Sequence, residues 1–184
     1  MKISNLLAAV CCASILALSA AAQGNTPMVG GAPMYPGKTI VQNASQASNL
    51  TTLVTALKAA GLVETLSGPG PFTVFAPTND AFAKLPAGTV DTLVKPENND
   101  QLKKILTYHV VAGRITAQKL MGMIKKGGGM ATLTTVEGGK LTATMSGDNV
   151  VLTDQKGGTA TVTQPNVFQS NGVVHVIDSI LMPS

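Results

Sequence analysis

Cysteine is almost absent from this chain, and the two that occur, Cys11 and Cys12, are adjacent. Both lie in an apolar N-terminal run, with neither metal-ligand spacing nor a lipoprotein processing site. If that run is removed, disulfides, thiol catalysis and cysteine-bound zinc are excluded from the rest of the chain. A thiol-free domain must then rely on its hydrophobic core, which chains of about 150 residues can build.

Charged and aromatic residues are also scarce. Only 12% of the residues are charged, about half of the usual ~25%, and tryptophan is absent. The net charge of +4 comes from 13 basic and 9 acidic residues spread along the chain, so no nucleic-acid-binding patch is indicated. By contrast, 19 glycines and 21 threonines indicate many turns and strands, as in a single exported, β-rich domain.

The first 22 residues have the pattern of a secretory signal peptide. Lys2 supplies the charged start, an apolar run follows, and alanines at 20–22 provide a cleavage site. We expect residues 1–22 to be removed, leaving a secreted protein, extracellular or periplasmic, that does not span the membrane. Residues 23–37, rich in Gly, Pro and Met, are expected to form a linker or an arm lying on the domain, which occupies residues 38–184.

The first half of the domain has the 3.6-residue period of short helices. Apolar residues at 50, 53, 54 and 57 predict one helix, which ends near Gly61. A second helix is predicted to begin at Asn98 in a capping box with Gln101, and a third runs from Thr116 to the break at Gly127. Each has one apolar face and therefore packs on a core.

The second half changes to the two-residue period of half-buried strands. Residues 140–145 and 159–163 alternate between apolar and polar side chains, and Gly-rich turns follow or precede them. The apolar run 173–182 predicts a central strand that is covered on both faces. Helices on one side of an antiparallel sheet make an α+β fold.

Three segments give the chain a family resemblance: FTVFAPTNDAF at 72–82, YHVV at 108–111 and NGVVHVIDSILMP at 171–183. In this order they resemble the conserved boxes of the fasciclin (FAS1) domain, over about residues 38–183. The resemblance implies a fasciclin-like β-sandwich or wedge of about seven mostly antiparallel strands with a layer of short helices. The arrangement is similar to that of small secreted bacterial proteins with a single FAS1 domain.

The resemblance also implies a non-enzymatic role in cell adhesion or matrix interaction. Relatives are implicated in adhesion through the Tyr-His box and through the stretch that corresponds to residues 164–168. The candidate interaction residues toward an extracellular or cell-surface protein or glycan are therefore Tyr108, His109, Arg114, Pro165, Asn166 and Val167. Integrin-recognising relatives have Glu and Asp where this chain has the uncharged Gln164 and Asn166, so the carboxylate that would reach an integrin-bound cation is missing. A monomer is expected.

A structural explanation stays open for the Tyr-His box, because Tyr108 and His109 could simply tie a strand to the helices. His109 is followed by two valines and His175 lies between two, and such apolar runs favour core histidines over catalytic bases. A hydrolase site would combine a histidine with Asp178 and a serine, but the chain has no Gly-x-Ser-x-Gly elbow.

Methionine is the soft metal ligand that remains after signal removal. Thioethers suit Cu(I), and Met28 and Met34 are the pair to test, although most methionines are expected to fill gaps in the core. The alternative function is therefore a periplasmic protein that binds a small ligand or copper. No cofactor is expected for the adhesion module.

Overall fold

The computed structural model describes residues 26–86 and 88–183, and the predicted signal peptide lies outside the described residues. The strands are β1 (Met28–Val29), β2 (Ala32–Pro33), β3 (Phe72–Pro77), β4 (Val110–Ala112), β5 (Met130–Thr134), β6 (Lys140–Ser146), β7 (Asn149–Thr153), β8 (Thr159–Gln169) and β9 (Gly172–Ile177). The helices are α1 (Ile40–Ala44), α2 (Thr51–Ala59), α3 (Val63–Ser67), α4 (Asn79–Ala83), α5 (Thr89–Leu93), α6 (Asn99–Tyr108) and α7 (Ala117–Lys126).

Strands β3 to β9 form one mixed sheet in the order β4-β3-β9-β8-β7-β6-β5. All neighbours pair antiparallel except β3 and β9, which are parallel. The sheet curls until its edges meet: Thr135, just after β5, bridges Val111 of β4, and the Val136 N–H donates to the Val110 carbonyl at 2.7 Å. The α+β class is confirmed, and the parallel pair β3–β9 agrees with the mostly antiparallel strands that the resemblance implies.

The curled sheet separates two hydrophobic cores, as the alternation along β3 shows. Val74 and Ala76 face the helices, whereas Phe75 faces the inside of the curl. The first core lies between the sheet and helices α1 to α6. The second fills the curl and is closed by Leu120 and Ile124 of α7.

The predicted helices form, although one predicted cap is absent. The third helix begins as expected after Thr116, whose hydroxyl accepts from a backbone N–H in the first turn. The capping box at Asn98 is wrong: a 3-10 turn precedes α6, and the Asn98 side chain donates to the Thr92 carbonyl at 2.8 Å. A complete capping box occurs instead between Thr39 and Gln42 at the start of α1.

Residues 26–37 pack on the domain. They form the hairpin β1–β2, and Val29 and Met34 are buried in the first core. Asn43 of α1 holds the segment, because its side chain accepts from the Tyr35 N–H at 3.1 Å and donates to the Tyr35 carbonyl at 2.8 Å. The described part of the Gly/Pro/Met-rich region thus has the contacts of an arm, and the core begins before residue 38.

The last strand is shorter than its apolar run. β9 does not extend beyond Ile177. After it, the Leu181 N–H donates to His109 Nε2 at 3.1 Å, and the Met182 N–H donates to the Asp154 carboxylate at 2.8 Å. Side-chain acceptors replace ladder partners here, so the run 173–182 predicted too long a strand.

Candidate interaction site

Tyr108 and His109 lie at the C-terminal end of α6 and are only 0% and 2% exposed. The Tyr108 hydroxyl donates to the Lys140 carbonyl at 2.8 Å. His109 Nδ1 lies 2.8 Å from the Ile105 carbonyl, and Nε2 accepts from Leu181, which together select the neutral tautomer protonated at Nδ1. Burial lowers the pKa of His109 to about 4. In this fold the pair ties α6 to β6 and to the C-terminal segment, and neither side chain reaches the surface.

His175 of β9 hydrogen-bonds to two other segments, at Ile115 and at Asn166. It is 1% exposed, and burial lowers its pKa. Its Nε2–H donates to the Ile115 carbonyl at 2.8 Å, and its Nδ1 accepts a long hydrogen bond from the Asn166 N–H at 3.4 Å. The stretch 113–118 is therefore held beside the second half of β8.

Asn166 is the only non-glycine residue with a positive φ, 59°, in the described part of the chain. It lies where the register of β8 against β9 shifts. Its Oδ1 accepts from the N–H of Ala117, the first residue of α7, at 2.8 Å, and its Nδ2 donates to Gln118 at 3.3 Å. The side chain that the sequence suggested as a contact residue thus anchors α7 to β8.

Arg114, the only arginine in the chain, is exposed in the turn between β4 and α7. The Thr73 hydroxyl donates to the Gly113 carbonyl at 2.6 Å and accepts from the Ile115 N–H at 2.9 Å, which fixes the backbone on both sides of Arg114. The guanidinium makes one long hydrogen bond, from Nη2 to the Gln169 carbonyl at 3.4 Å. It forms no ion pair with any residue in 26–86 or 88–183.

The predicted candidates therefore divide between surface and interior. Arg114 and Pro165 are exposed near Asn166, whereas Val167 is buried in the first core. The candidate residues left out Phe168, which ends the stretch 164–168 and is 41% exposed; strand alternation could have found it, because it follows the buried Val167. We call the exposed side chains of Arg114, Pro165 and Phe168 the Arg114 surface.

The alternative chemistries have no assembled site among the described residues. Both histidines bond to backbone groups, and the Asp178 carboxylate accepts from a backbone N–H and lies 3.6 Å from Lys84. No group of three His, Cys, Asp or Glu residues there could hold a metal ion. Met28 is 54% exposed and Met34 only 2%, so one thioether faces solvent and the other faces the core. The copper alternative remains a prediction.

Comparison with known proteins shows the family of this chain. The model of the fasciclin domain matches residues 48–183. Protein sll1483 of Synechocystis is 51% identical over 146 residues, covering 79% of this chain and 73% of that protein. Immunogenic protein MPB70 of Mycobacterium bovis is 36% identical and covers 100% of this chain and 99% of its own length. Cell surface glycolipoprotein MPB83 of the same species is 38% identical, covering 76% of this chain and 60% of that protein.

A solved structure agrees with the fold. The FAS1 domain pair of the insect cell adhesion molecule Fasciclin I superposes with a TM-score of 0.69 at 20% identity. The match covers 79% of this chain and spans about half of that longer chain, 51%. The chain belongs to the fasciclin domain family. No helix within the described residues is both long and apolar enough to cross a bilayer.

Proposed function

We propose that this fasciclin-domain chain is a non-enzymatic adhesion module of the cell exterior, and that it holds an extracellular protein or glycan at the Arg114 surface. Family membership supports this reading, as do relatives named for a cell-surface location or for immunogenicity and a solved relative named as a cell adhesion molecule. The proposal places the chain outside the cytoplasm and assigns it no substrate.

The observation that carries the proposal is the composition and rigidity of the Arg114 surface. It combines a guanidinium that has no ion-pair partner among the described residues with an exposed phenylalanine ring, and both residue types are enriched at protein interfaces. The segments that carry it, 113–118 and 163–170, contain no acidic residue. Asn166 and His175 fix the backbone beneath the surface, so little conformational freedom is lost on binding.

The test is retention by the immobilised protein without its signal peptide. Beads that carry it should retain intact cells, or matrix extracted from the producing organism, and Arg114→Ala and Phe168→Ala should each reduce retention severalfold. Met130→Ala is the matched control, because Met130 is 58% exposed on β5 and apolar like Phe168. Equal retention by all variants, or no retention by the parent protein, would contradict the proposal.

A further inference from the structure

A cleft with a volume of about 460 Å³ opens beside Arg114. Its other walls are the start of α1 at Thr39, the loop 67–71 and the β8–β9 turn at Ser170. This volume lies within the roughly 300–1,000 Å³ of small-ligand sites. The cleft adjoins the Arg114 surface and shares its single arginine.

The cleft is preformed, because Asn171 ties its walls together. Asn171 is 8% exposed, and its Oδ1 accepts from the Ile40 N–H at 3.1 Å. Its Nδ2 donates to the carbonyls of Leu66, at 2.6 Å, and Gly68, at 3.2 Å. At Gly70 the backbone approaches so closely that an added Cβ would collide with the Asn171 carbonyl oxygen. The loop thus has no need to reorganise when a ligand enters.

The unsatisfied groups of the cleft favour an anion that also carries hydroxyls. Arg114 has five N–H donors in a planar fork and uses one of them weakly. The hydroxyls of Ser67 and Ser170, at the rim, have no hydrogen-bond partner among the described residues. No carboxylate lines the cleft, and Arg114 forms no ion pair with any described residue. The charge of the guanidinium is therefore available to an anionic ligand.

We propose that this cleft binds a carboxylate-bearing sugar, with Arg114 paired to the carboxylate and Ser67 and Ser170 bonded to ring hydroxyls. A guanidinium matches a carboxylate bidentately, whereas a lysine would supply only a point charge. A sugar fits the described walls better than an acidic peptide, because Ser67 and Ser170 can bond to its hydroxyls while Pro69 and Pro71 offer apolar surface to its ring. The inference rests on the proposed function and names its partner class, an acidic glycan.

The test is an NMR titration of the ¹⁵N-labelled protein with trigalacturonate at low salt. Shift changes should be confined to Thr39 and to residues 67–71, 113–115 and 170–171. Arg114→Gln should weaken binding about ten- to a hundredfold, the usual effect of removing hydrogen bonds to a charged group. Lys140→Gln is the matched control, because it removes one exposed positive charge on β6, away from the cleft, and should leave the affinity unchanged. Thermal melts check that the variants fold.

Four outcomes of the titration would overturn the inference. Equal binding of neutral maltotriose would remove the role of the carboxylate, and tighter binding of triglutamate would indicate a peptide site. Equal weakening by Arg114→Gln and Lys140→Gln would show diffuse charge attraction, and absence of shifts would show that the cleft takes no such sugar. If the beads retain cells while trigalacturonate fails, the proposed function stands and this inference falls. If the protein binds the sugar but the beads retain no cells, the inference about the cleft stands and the proposed function falls.

Discussion

The two ends of strand β4 contrast sharply. Before it lie Tyr108 and His109, whose polar atoms all have partners inside the protein. After it lies Arg114, whose guanidinium is exposed and almost unused, next to a cleft with free hydroxyls. A polar group that is already bonded and buried contributes to stability, whereas one left unpaired at a preformed surface is available to a partner. We therefore expect Tyr108 and His109 to stabilise the fold and Arg114 to contact a partner.

The largest effect expected from this contrast is on His109. His109→Ala leaves the Ile105 carbonyl and the Leu181 N–H without partners inside the protein, and each unpaired buried group costs about 1–3 kcal/mol. We expect the free energy of unfolding to fall by about 4 kcal/mol once the cavity is included. Urea denaturation followed by far-UV circular dichroism measures it. A loss below about 1 kcal/mol would show that His109 is not a structural tie.

The burial of His109 should also make the free energy of unfolding depend on pH. The pKa of His109 is about 4 in the folded chain and 6.5 when exposed, so the unfolded chain binds the proton first as the pH falls. Stability is complete above pH 6.5 and decreases toward pH 4, by roughly 3 kcal/mol for this histidine. His175 adds a decrease in the same direction. Urea unfolding at a series of pH values tests this, and His109→Gln should flatten the profile; an unchanged profile would contradict the assignment.

Replacing Asn166 should lower the free energy of unfolding by an intermediate amount. Asn166 lies beside the Arg114 surface, but its side chain anchors α7 to β8. Asn166→Ala removes the acceptor for the Ala117 N–H and places alanine at a φ of 59°, which together should cost about 2 kcal/mol of unfolding free energy. Asn166→Asp keeps the acceptor and tolerates the backbone conformation, so it serves as the control and should stay within about 0.5 kcal/mol of the parent. Equal losses in both variants would refute the anchoring role.

Local patterns predicted much of this fold, and its non-local features escaped them. The apolar stripe of α2, the start of α7 after Thr116 and the alternation along β6 are set by neighbouring residues, so local patterns reveal them. The insertion of β9 beside β3 joins segments about a hundred residues apart and leaves no periodic signal. The end of β9 was missed for a similar reason, because His109 and Asp154 supply its acceptors from distant elements.

The candidate site shows the same limit. The family resemblance made Tyr108 and His109 candidate interaction residues, but a sequence motif does not show whether a side chain is buried or exposed. Arg114 was a candidate because it lies in the loop after the Tyr-His box. Ser67 and Ser170 lie far apart in the chain and line the same cleft only in the folded protein. Their juxtaposition depends on Asn171, whose side chain bonds to three backbone groups on two separate segments. No sequence spacing encodes that arrangement.

The smallest stability effect belongs to Arg114, and it completes the contrast. Its one side-chain hydrogen bond to the described residues is long and lies at the surface, so Arg114→Ala should change the free energy of unfolding by less than about 0.5 kcal/mol. Parallel urea curves for Arg114→Ala and Lys140→Ala compare two exposed cations. If Arg114→Ala alone costs about 2 kcal/mol, the guanidinium is a structural group, and the division between the two ends of β4 fails. If both variants are as stable as the parent, a loss of cell retention in Arg114→Ala reports binding, because the fold beneath it is intact.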